Sequence, residues 1–159
     1  MKKHYIFLLL AGILFIFAGC GGGGGGGSDA PFEAVITISP ESSTIEVDEA
    51  SLVATYVAQF VIAVKDSTGV PLNDVNLTIF YPWAEPNASV VRFFDGDPNR
   101  GGVFKDSPMA VTTDENGAYT LYFEYDAGGG LEYKADIQVI SGSVVASATF
   151  EVKKVTAEE

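Results

Sequence analysis

One acidic stretch carries oxygen-bearing side chains at the spacing of a metal-binding loop. Asp95, Asp97 and Asn99 alternate along the chain, and Asp106 follows eleven positions after Asp95. This partly matches a calcium loop, whose ligands come from positions one, three, five and twelve. Arg100 replaces the usual turn glycine, and Asp106 is shorter than the usual glutamate. The four residues are a candidate calcium site, and the alternative is a polar turn between two strands.

The single tryptophan stands beside two prolines, in Tyr81-Pro82-Trp83-Ala84-Glu85-Pro86. Exposed Tyr81 and Trp83 side chains could stack on a sugar ring or anchor a protein contact. The alternative is that Trp83 covers one end of the core, because large aromatic residues are highly buried on average. Both residues are candidate ligand contacts.

The chain offers almost no histidine or cysteine for a catalytic or metal site. Its one histidine, His4, lies in a removable leader, and it has one cysteine. This excludes Ser-His-Asp and Cys-His catalysis, histidine-ligated zinc and a disulfide framework. Neighbouring carboxylates such as Asp114 and Glu115 do not face each other across a substrate as a glycosidase pair does. We therefore expect no enzyme and no cofactor.

The chain is strongly acidic. It has 21 Asp and Glu residues against 9 Lys and Arg residues, for a formal net charge of -12. Such a surface repels phosphate backbones and anionic lipid headgroups. Nucleic acid is excluded as a partner, and membrane binding by charge is disfavoured.

The first residues have the layout of an export signal. Lys2 and Lys3 precede an uncharged apolar run, residues 5–18, which is too short to span a bilayer comfortably. Phe17-Ala18-Gly19-Cys20 resembles the lipobox of bacterial lipoproteins, in which the cysteine is lipidated and becomes the new N-terminus. We expect residues 1–19 to be a signal peptide and Cys20 to carry lipid.

Residues 20–32 are expected to form a flexible tether. Seven glycines follow Cys20, and such a run has a root-mean-square reach of about 15 Å. By resemblance to the sorting rule of enteric bacteria, Gly21 in place of aspartate implies export to the outer membrane. The predicted location is the bacterial cell envelope, where the lipid holds the chain to a membrane and the domain faces either the periplasm or the cell surface.

Residues 33–153 are predicted to form one all-β domain, and residues 154–159 a tail. Apolar and polar residues alternate through most of this region, and no window has helical spacing. Segments rich in the turn-forming residues Gly, Pro, Asn, Asp and Ser separate the strands. The pattern favours an immunoglobulin-like Greek-key β-sandwich of seven to nine strands, with a closed barrel as the alternative. Strands are expected at residues 34–39, 44–48, 55–65, 75–81, 89–94, 109–113, 119–125, 135–139 and 144–153.

Two sequence blocks carry a family resemblance. Val64-Lys65-Asp66-Ser67-Thr68-Gly69-Val70-Pro71-Leu72-Asn73-Asp74-Val75-Asn76-Leu77-Thr78-Ile79 is the first, and Val111-Thr112-Thr113-Asp114-Glu115-Asn116-Gly117-Ala118-Tyr119-Thr120 is the second. They resemble bacterial group-1 immunoglobulin-like domains, the modules of invasin and intimin type adhesins. Carboxypeptidase-regulatory-like domains show similar blocks. Both families are β-sandwiches that usually serve as binding or spacer modules. Members of the first commonly occur in tandem arrays, whereas this chain has one copy.

Four residues in these blocks are predicted to have structural roles. Gly69 and Pro71 turn one strand into the next, and Gly117 tolerates positive φ in a tight connection. The second block also resembles the tyrosine corner of immunoglobulin sandwiches. The hydroxyl of Tyr119 is therefore expected to bond to the backbone a few residues upstream.

The function predicted from these features is a lipid-anchored, extracytoplasmic immunoglobulin-like module for binding or adhesion, without catalytic activity. Its partner is a protein or a polysaccharide. A periplasmic structural or assembly lipoprotein and a carbohydrate-binding module are the alternatives. An unpaired edge strand would favour a protein partner, whereas exposed Trp83 and Tyr81 would favour sugar.

Overall fold

A computed structural model describes residues 27–48, 55–80, 91–126 and 133–155. The described residues form two five-stranded sheets, which confirms the predicted immunoglobulin-like β-sandwich. The strands are β1 (Val35–Ser39), β2 (Ser42–Asp48), β3 (Thr55–Lys65), β4 (Asn76–Phe80), β5 (Val91–Asp95), β6 (Val103–Lys105), β7 (Met109–Thr112), β8 (Ala118–Asp126), β9 (Tyr133–Ser141) and β10 (Val144–Val155).

Strand order differs from chain order in both sheets. The first sheet runs β1-β3-β8-β5-β6, and the second runs β2-β10-β9-β4-β7. Neighbouring strands are antiparallel except for β10 and β2, which are parallel. The chain therefore begins in the first sheet with β1 and crosses to the second sheet with β2, passing Pro40.

Alternating apolar residues of both sheets fill the space between them. Phe123 lies at the centre, with its ring centroid 4.6 Å from Phe93, 5.0 Å from Phe150 and 5.9 Å from Phe60. All four side chains are buried. Burying one such side chain contributes about 1.5–3 kcal/mol relative to leaving it exposed. The period-two pattern of the sequence thus corresponds to the core face of each strand.

Each of the nine expected strands overlaps a strand in the structure, and β6 is an additional one. Its three residues are all exposed, so no buried-exposed alternation marks it in the sequence. It is held by pairing with β5, where Phe94 lies opposite Phe104. The short 3₁₀ turn Pro98–Arg100 lies between these two strands.

One end of the sandwich, which we call the base, carries the tight turns. The β3–β4 connection, the β7–β8 turn, the β9–β10 turn and residues 27–30 meet there. The backbone N–H of Ser28 donates to the Asp74 carbonyl at 3.0 Å. Ala30 is buried, and its N–H donates to the Ser141 hydroxyl at 2.8 Å.

The boundaries of the domain differ from those expected from the sequence. Contacts with the sandwich reach back at least to Gly27, not to residue 33, because residues 27–30 pack on the base. β10 extends to Val155, two residues beyond the expected end. Within the described ranges, no helix is long and apolar enough to cross a membrane.

Candidate functional site

Three aromatic side chains form a row across the outer face of the first sheet. In the strand register Phe104 of β6 lies opposite Phe94 of β5, and Phe94 lies opposite Tyr122 of β8. Residues at paired positions point to the same face of a sheet. Phe104 is 49% exposed, and the other two side chains are half-buried. We call Tyr122, Phe94 and Phe104 the aromatic row.

Two valines on β3 extend this apolar surface. Val57 and Val61 are each 37% exposed, and they lie on the same face as Gln59, which pairs with Tyr122. Arg92 and Glu124 form an ion pair of 3.6 Å at its margin. We call the aromatic row with Val57 and Val61 the aromatic face. Aromatic residues and arginine are enriched at protein interfaces and at their energetic hot spots.

The outer face of the second sheet has a different chemistry. There the Thr149 hydroxyl donates to Asp136 at 3.0 Å, and Lys153 pairs with Glu151 at 3.1 Å. Val145 and Val155 are also exposed on this face, but none of the exposed large apolar side chains described there is aromatic. The two faces of the sandwich are therefore unequal, and the aromatic face is the stronger candidate for a docking surface.

The aromatic face ends at an edge strand. In the described part of the chain β6 has one neighbour, β5, so one side of its backbone has no strand partner. Val103 is 60% exposed on the same strand. An unpaired edge of this kind can accept a strand from another chain. It is the feature that favours a protein partner.

The four candidate calcium ligands lie along the β5–β6 hairpin. The Asp97 side chain caps the 3₁₀ turn by accepting the backbone N–H of Asn99 at 2.9 Å, and it lies 3.5 Å from the Arg100 guanidinium. Asp95 ends β5, and Asp106 follows β6. Among the residues that the structure describes, no three His, Cys, Asp or Glu side chains are grouped to hold a metal ion. Calcium binding stays a prediction, which titration calorimetry of the chain with calcium would test.

Tyr119 has a different hydrogen-bond partner from the predicted one. Its hydroxyl donates to Oδ1 of Asp95 at 3.0 Å rather than to the upstream backbone. The prediction of a tyrosine corner was wrong in this respect, because β5 pairs with β8 and places Asp95 opposite Leu121, within reach of Tyr119. Burial and, second, the bond to Asp95 raise the pKa of the Tyr119 hydroxyl above its ordinary value of 10.0.

The two sequence blocks that carry the family resemblance form matching turns at the base. Oδ1 of Asp66 accepts the backbone N–H groups of Thr68 at 2.8 Å and Val70 at 2.9 Å. Oδ1 of Asp114 accepts those of Asn116 and Ala118, both at 2.9 Å. The pKa of Asp66 is lowered chiefly by the Thr68 hydroxyl bond, and that of Asp114 chiefly by the Ala118 N–H. A similar arrangement of donors thus stabilises each charged carboxylate.

The turn residues singled out from the sequence lie where these two turns meet. Gly69 and Gly117 both have positive φ, +90° and +67°. Gly117 lies directly against the backbone of Val64 and Leu72 and against the Pro71 ring. The positive φ expected at Gly117 is present, and the structure adds a close approach there and a positive φ at Gly69.

Three of the candidate residues fall outside the described ranges. These are Cys20, Tyr81 and Trp83. The aromatic row, by contrast, was not predicted from the sequence. Tyr122, Phe94 and Phe104 are dispersed along the chain, and only the strand register brings them side by side.

Comparisons with known proteins give a fold and no family. No protein-family model and no curated protein sequence matches the chain. The adhesin InvE of Yersinia pseudotuberculosis matches with a TM-score of 0.52 and 14% identity, over 78% of this chain and 32% of the adhesin. This chain therefore spans about a third of that protein. The match supports the immunoglobulin-like fold, while membership of the group-1 family stays a prediction.

Two further solved structures match less well. A family 123 glycoside hydrolase of Clostridium perfringens gives a TM-score of 0.49 and 7% identity, over 78% of this chain and 27% of the enzyme. A conjugative transposon lipoprotein of Bacteroides eggerthii gives 0.45 and 13%, over 76% of this chain and 98% of that one. Both scores are too low to support an argument about function.

Proposed function

We propose that the chain is a lipid-anchored, extracytoplasmic immunoglobulin-like module that binds a protein partner through its aromatic face and performs no catalytic step. The observation that supports this most strongly is the aromatic row, which runs across three adjacent strands and ends at the unpaired edge of β6. Adhesion to another surface is the use that the similarity to an adhesin suggests.

The geometry of the aromatic row favours protein over polysaccharide as the partner. The rings of Phe94 and Phe104 meet edge to face, at an interplanar angle of 68° and a centroid distance of 6.2 Å. Rings at this angle do not present the single flat surface on which a chain of sugar rings would stack. They offer ring edges and faces to the irregular side chains of a protein surface.

The proposed lipid anchor is at the N-terminal side of the base. Residues 27–30 are bonded to the base, which is therefore the part of the sandwich nearest in sequence to Cys20. The strands of the first sheet run away from the base, so the aromatic face lies along the side of the sandwich and not at its tethered end. The resemblance of Phe17-Ala18-Gly19-Cys20 to a lipobox supports the attachment, and Gly21 supports the outer membrane as the location.

Photocrosslinking in intact bacteria tests the aromatic face. The full chain would carry benzoylphenylalanine in place of Phe104 in one strain and in place of Thr44 in another. Thr44 is a matched control, since it is exposed on an edge strand of the other sheet. We expect an adduct of defined mass from position 104 and none from position 44. Equal adducts at both positions, or none at position 104, would contradict the proposal.

Metabolic labelling with radioactive palmitate tests the anchor. Wild-type chain should take up label and sediment with membranes, and Cys20→Ala should do neither. Label that persists in Cys20→Ala would refute lipidation at this residue without affecting the crosslinking result.

A further inference from the structure

The second sheet has a gap beside β10. This strand runs from Val144 to Val155, but its parallel neighbour β2 pairs with it only from Thr149 onward. Residues 144–148 therefore have β9 on one side and, in the described chain, no strand on the other. The gap arises where the chain crosses from the first sheet to the second between β1 and β2.

Backbone groups of β10 point into this gap. The N–H of Thr149 donates to the Glu41 carbonyl at 2.9 Å, on the side away from β9. Backbone groups in a strand point to alternate sides, so those of Ser147 and Val145 point the same way as those of Thr149. They repeat every second residue, as in the free edge of a sheet that can accept another strand.

A groove of about 350 Å³ lies beside these groups, between β10 and β1. Ile36, Thr37, Ile38 and Glu41 line one wall, and residues 146–149 line the other. β1 is itself an edge strand of the first sheet. The groove is thus bounded by one edge from each sheet.

Small side chains leave room inside the groove. Along the inward face of β10 the residues are Val144, Ala146, Ala148, Phe150 and Val152. Where β2 covers the strand, phenylalanine and valine fill the space between the sheets. Where β2 is absent the residues are Val144, Ala146 and Ala148. Ala148 is buried, whereas Ala146 is partly exposed, so a side chain of an added strand can pack beside Ala146.

We propose that this groove binds an extended segment of a partner protein, which pairs as an added strand with residues 144–148 of β10. Its inward side chain beside Ala146 is apolar. A cationic side chain of the segment lies near Glu41, in keeping with the net charge of -12. This site is separate from the aromatic face, and the inference does not depend on the function proposed there.

A capped synthetic hexapeptide of alternating lysine and valine is a suitable probe. Its binding to the full chain in detergent micelles would be measured by titration calorimetry. The control peptide carries an N-methyl group on every residue, which removes its backbone donors and leaves its side chains in place. We expect the first peptide to bind and the second to bind at least about tenfold more weakly.

Variants at one position separate the backbone from the side chain. Ser147→Pro removes the N–H that points into the groove and, at an edge, disturbs no bond to β9. It should weaken peptide binding about tenfold, and Ser147→Ala should leave it unchanged. Ala146→Leu fills the groove without changing the backbone and should weaken peptide binding by a similar factor. It provides the test if Ser147→Pro fails to fold.

Three results would overturn the inference. They are the absence of binding by the hexapeptide, equal binding of the N-methylated peptide, and unchanged binding by both Ser147→Pro and Ala146→Leu. Sedimentation of the chain without peptide tests whether a second copy of the chain occupies the groove instead. Self-association that Ser147→Pro abolishes would assign the groove to a second copy of the chain and not to a foreign segment.

Discussion

At the scale of single residues, Gly69 and Gly117 allow a controlled comparison. Both have positive φ in similar turns, but a Cβ at Gly69 would meet nothing within 4 Å, whereas one at Gly117 would lie 2.7 Å from the Leu72 nitrogen. Gly69→Ala should cost about 1–2 kcal/mol through backbone strain alone. Gly117→Ala should cost at least about 1 kcal/mol more, because the backbone it meets cannot move aside. Urea unfolding of both variants measures the difference, and equal costs would contradict the close approach.

The carboxylate of Asp114 makes stability depend on pH. Its pKa is lowered in the folded chain, so its contribution is present above the ordinary value of 3.8 and is lost as pH falls through the lowered native pKa. Asp114→Ala should have a lower melting temperature than wild type at pH 7. This difference in melting temperature should narrow once the pH falls below 3.8. Asp114→Asn keeps an acceptor and should melt between the two. A gap that is constant from pH 7 to strongly acidic solution would argue against the bonds to Asn116 and Ala118.

Tyr119→Phe should lower the free energy of unfolding by about 0.5–1.5 kcal/mol, since the bond to Asp95 is lost. Because the native pKa of Tyr119 is raised above 10.0, wild type should also lose this advantage as pH rises past that value. Asp95→Asn, which retains an acceptor, should have a smaller effect. Unchanged stability in Tyr119→Phe at neutral pH would show that the bond contributes nothing.

At the scale of elements, the alternation of apolar and polar residues predicts where the strands are, but it does not predict which strands pair with one another in a sheet. Val75, Leu77 and Ile79 predict a buried strand face, and the structure confirms it. Val103-Phe104-Lys105 gives no such signal, because β6 has no buried face. The aromatic row depends on register between β5, β6 and β8, which a single sequence does not contain. The candidate site was therefore less predictable than the fold.

The aromatic row and the core should respond differently to truncation. Phe104→Ala removes an exposed side chain and should change the free energy of unfolding by about 0.5 kcal/mol or less. Phe123→Ala removes the centre of the aromatic core and should cost about 3–5 kcal/mol. Denaturant unfolding of both variants checks this. A large loss of unfolding free energy in Phe104→Ala would mean that this side chain stabilises the fold, so that partner binding is not needed to explain its presence.

At the scale of the whole molecule, the base determines where the tether leaves the domain. A side chain at Gly27 would collide with the Asp74 carbonyl, and the Asn76 amide donates to the Gly27 carbonyl. Gly27→Val should therefore release residues 27–30 from the base and speed proteolysis before β1. Glu46→Val, at an exposed position of the edge strand β2, is the control and should leave that cleavage unchanged. Equal cleavage rates in wild type and Gly27→Val would mean that the attachment to the base is weak.

Adhesion, the use proposed for this lipid-anchored module, requires that it face outward from the cell. Protease treatment of intact bacteria that express the tagged full chain tests it most directly, with lysed cells and a periplasmic marker protein as controls. The domain should be digested in intact cells while the marker survives. Protection of the domain until the cells are lysed would contradict it and would support a structural or assembly role in the periplasm.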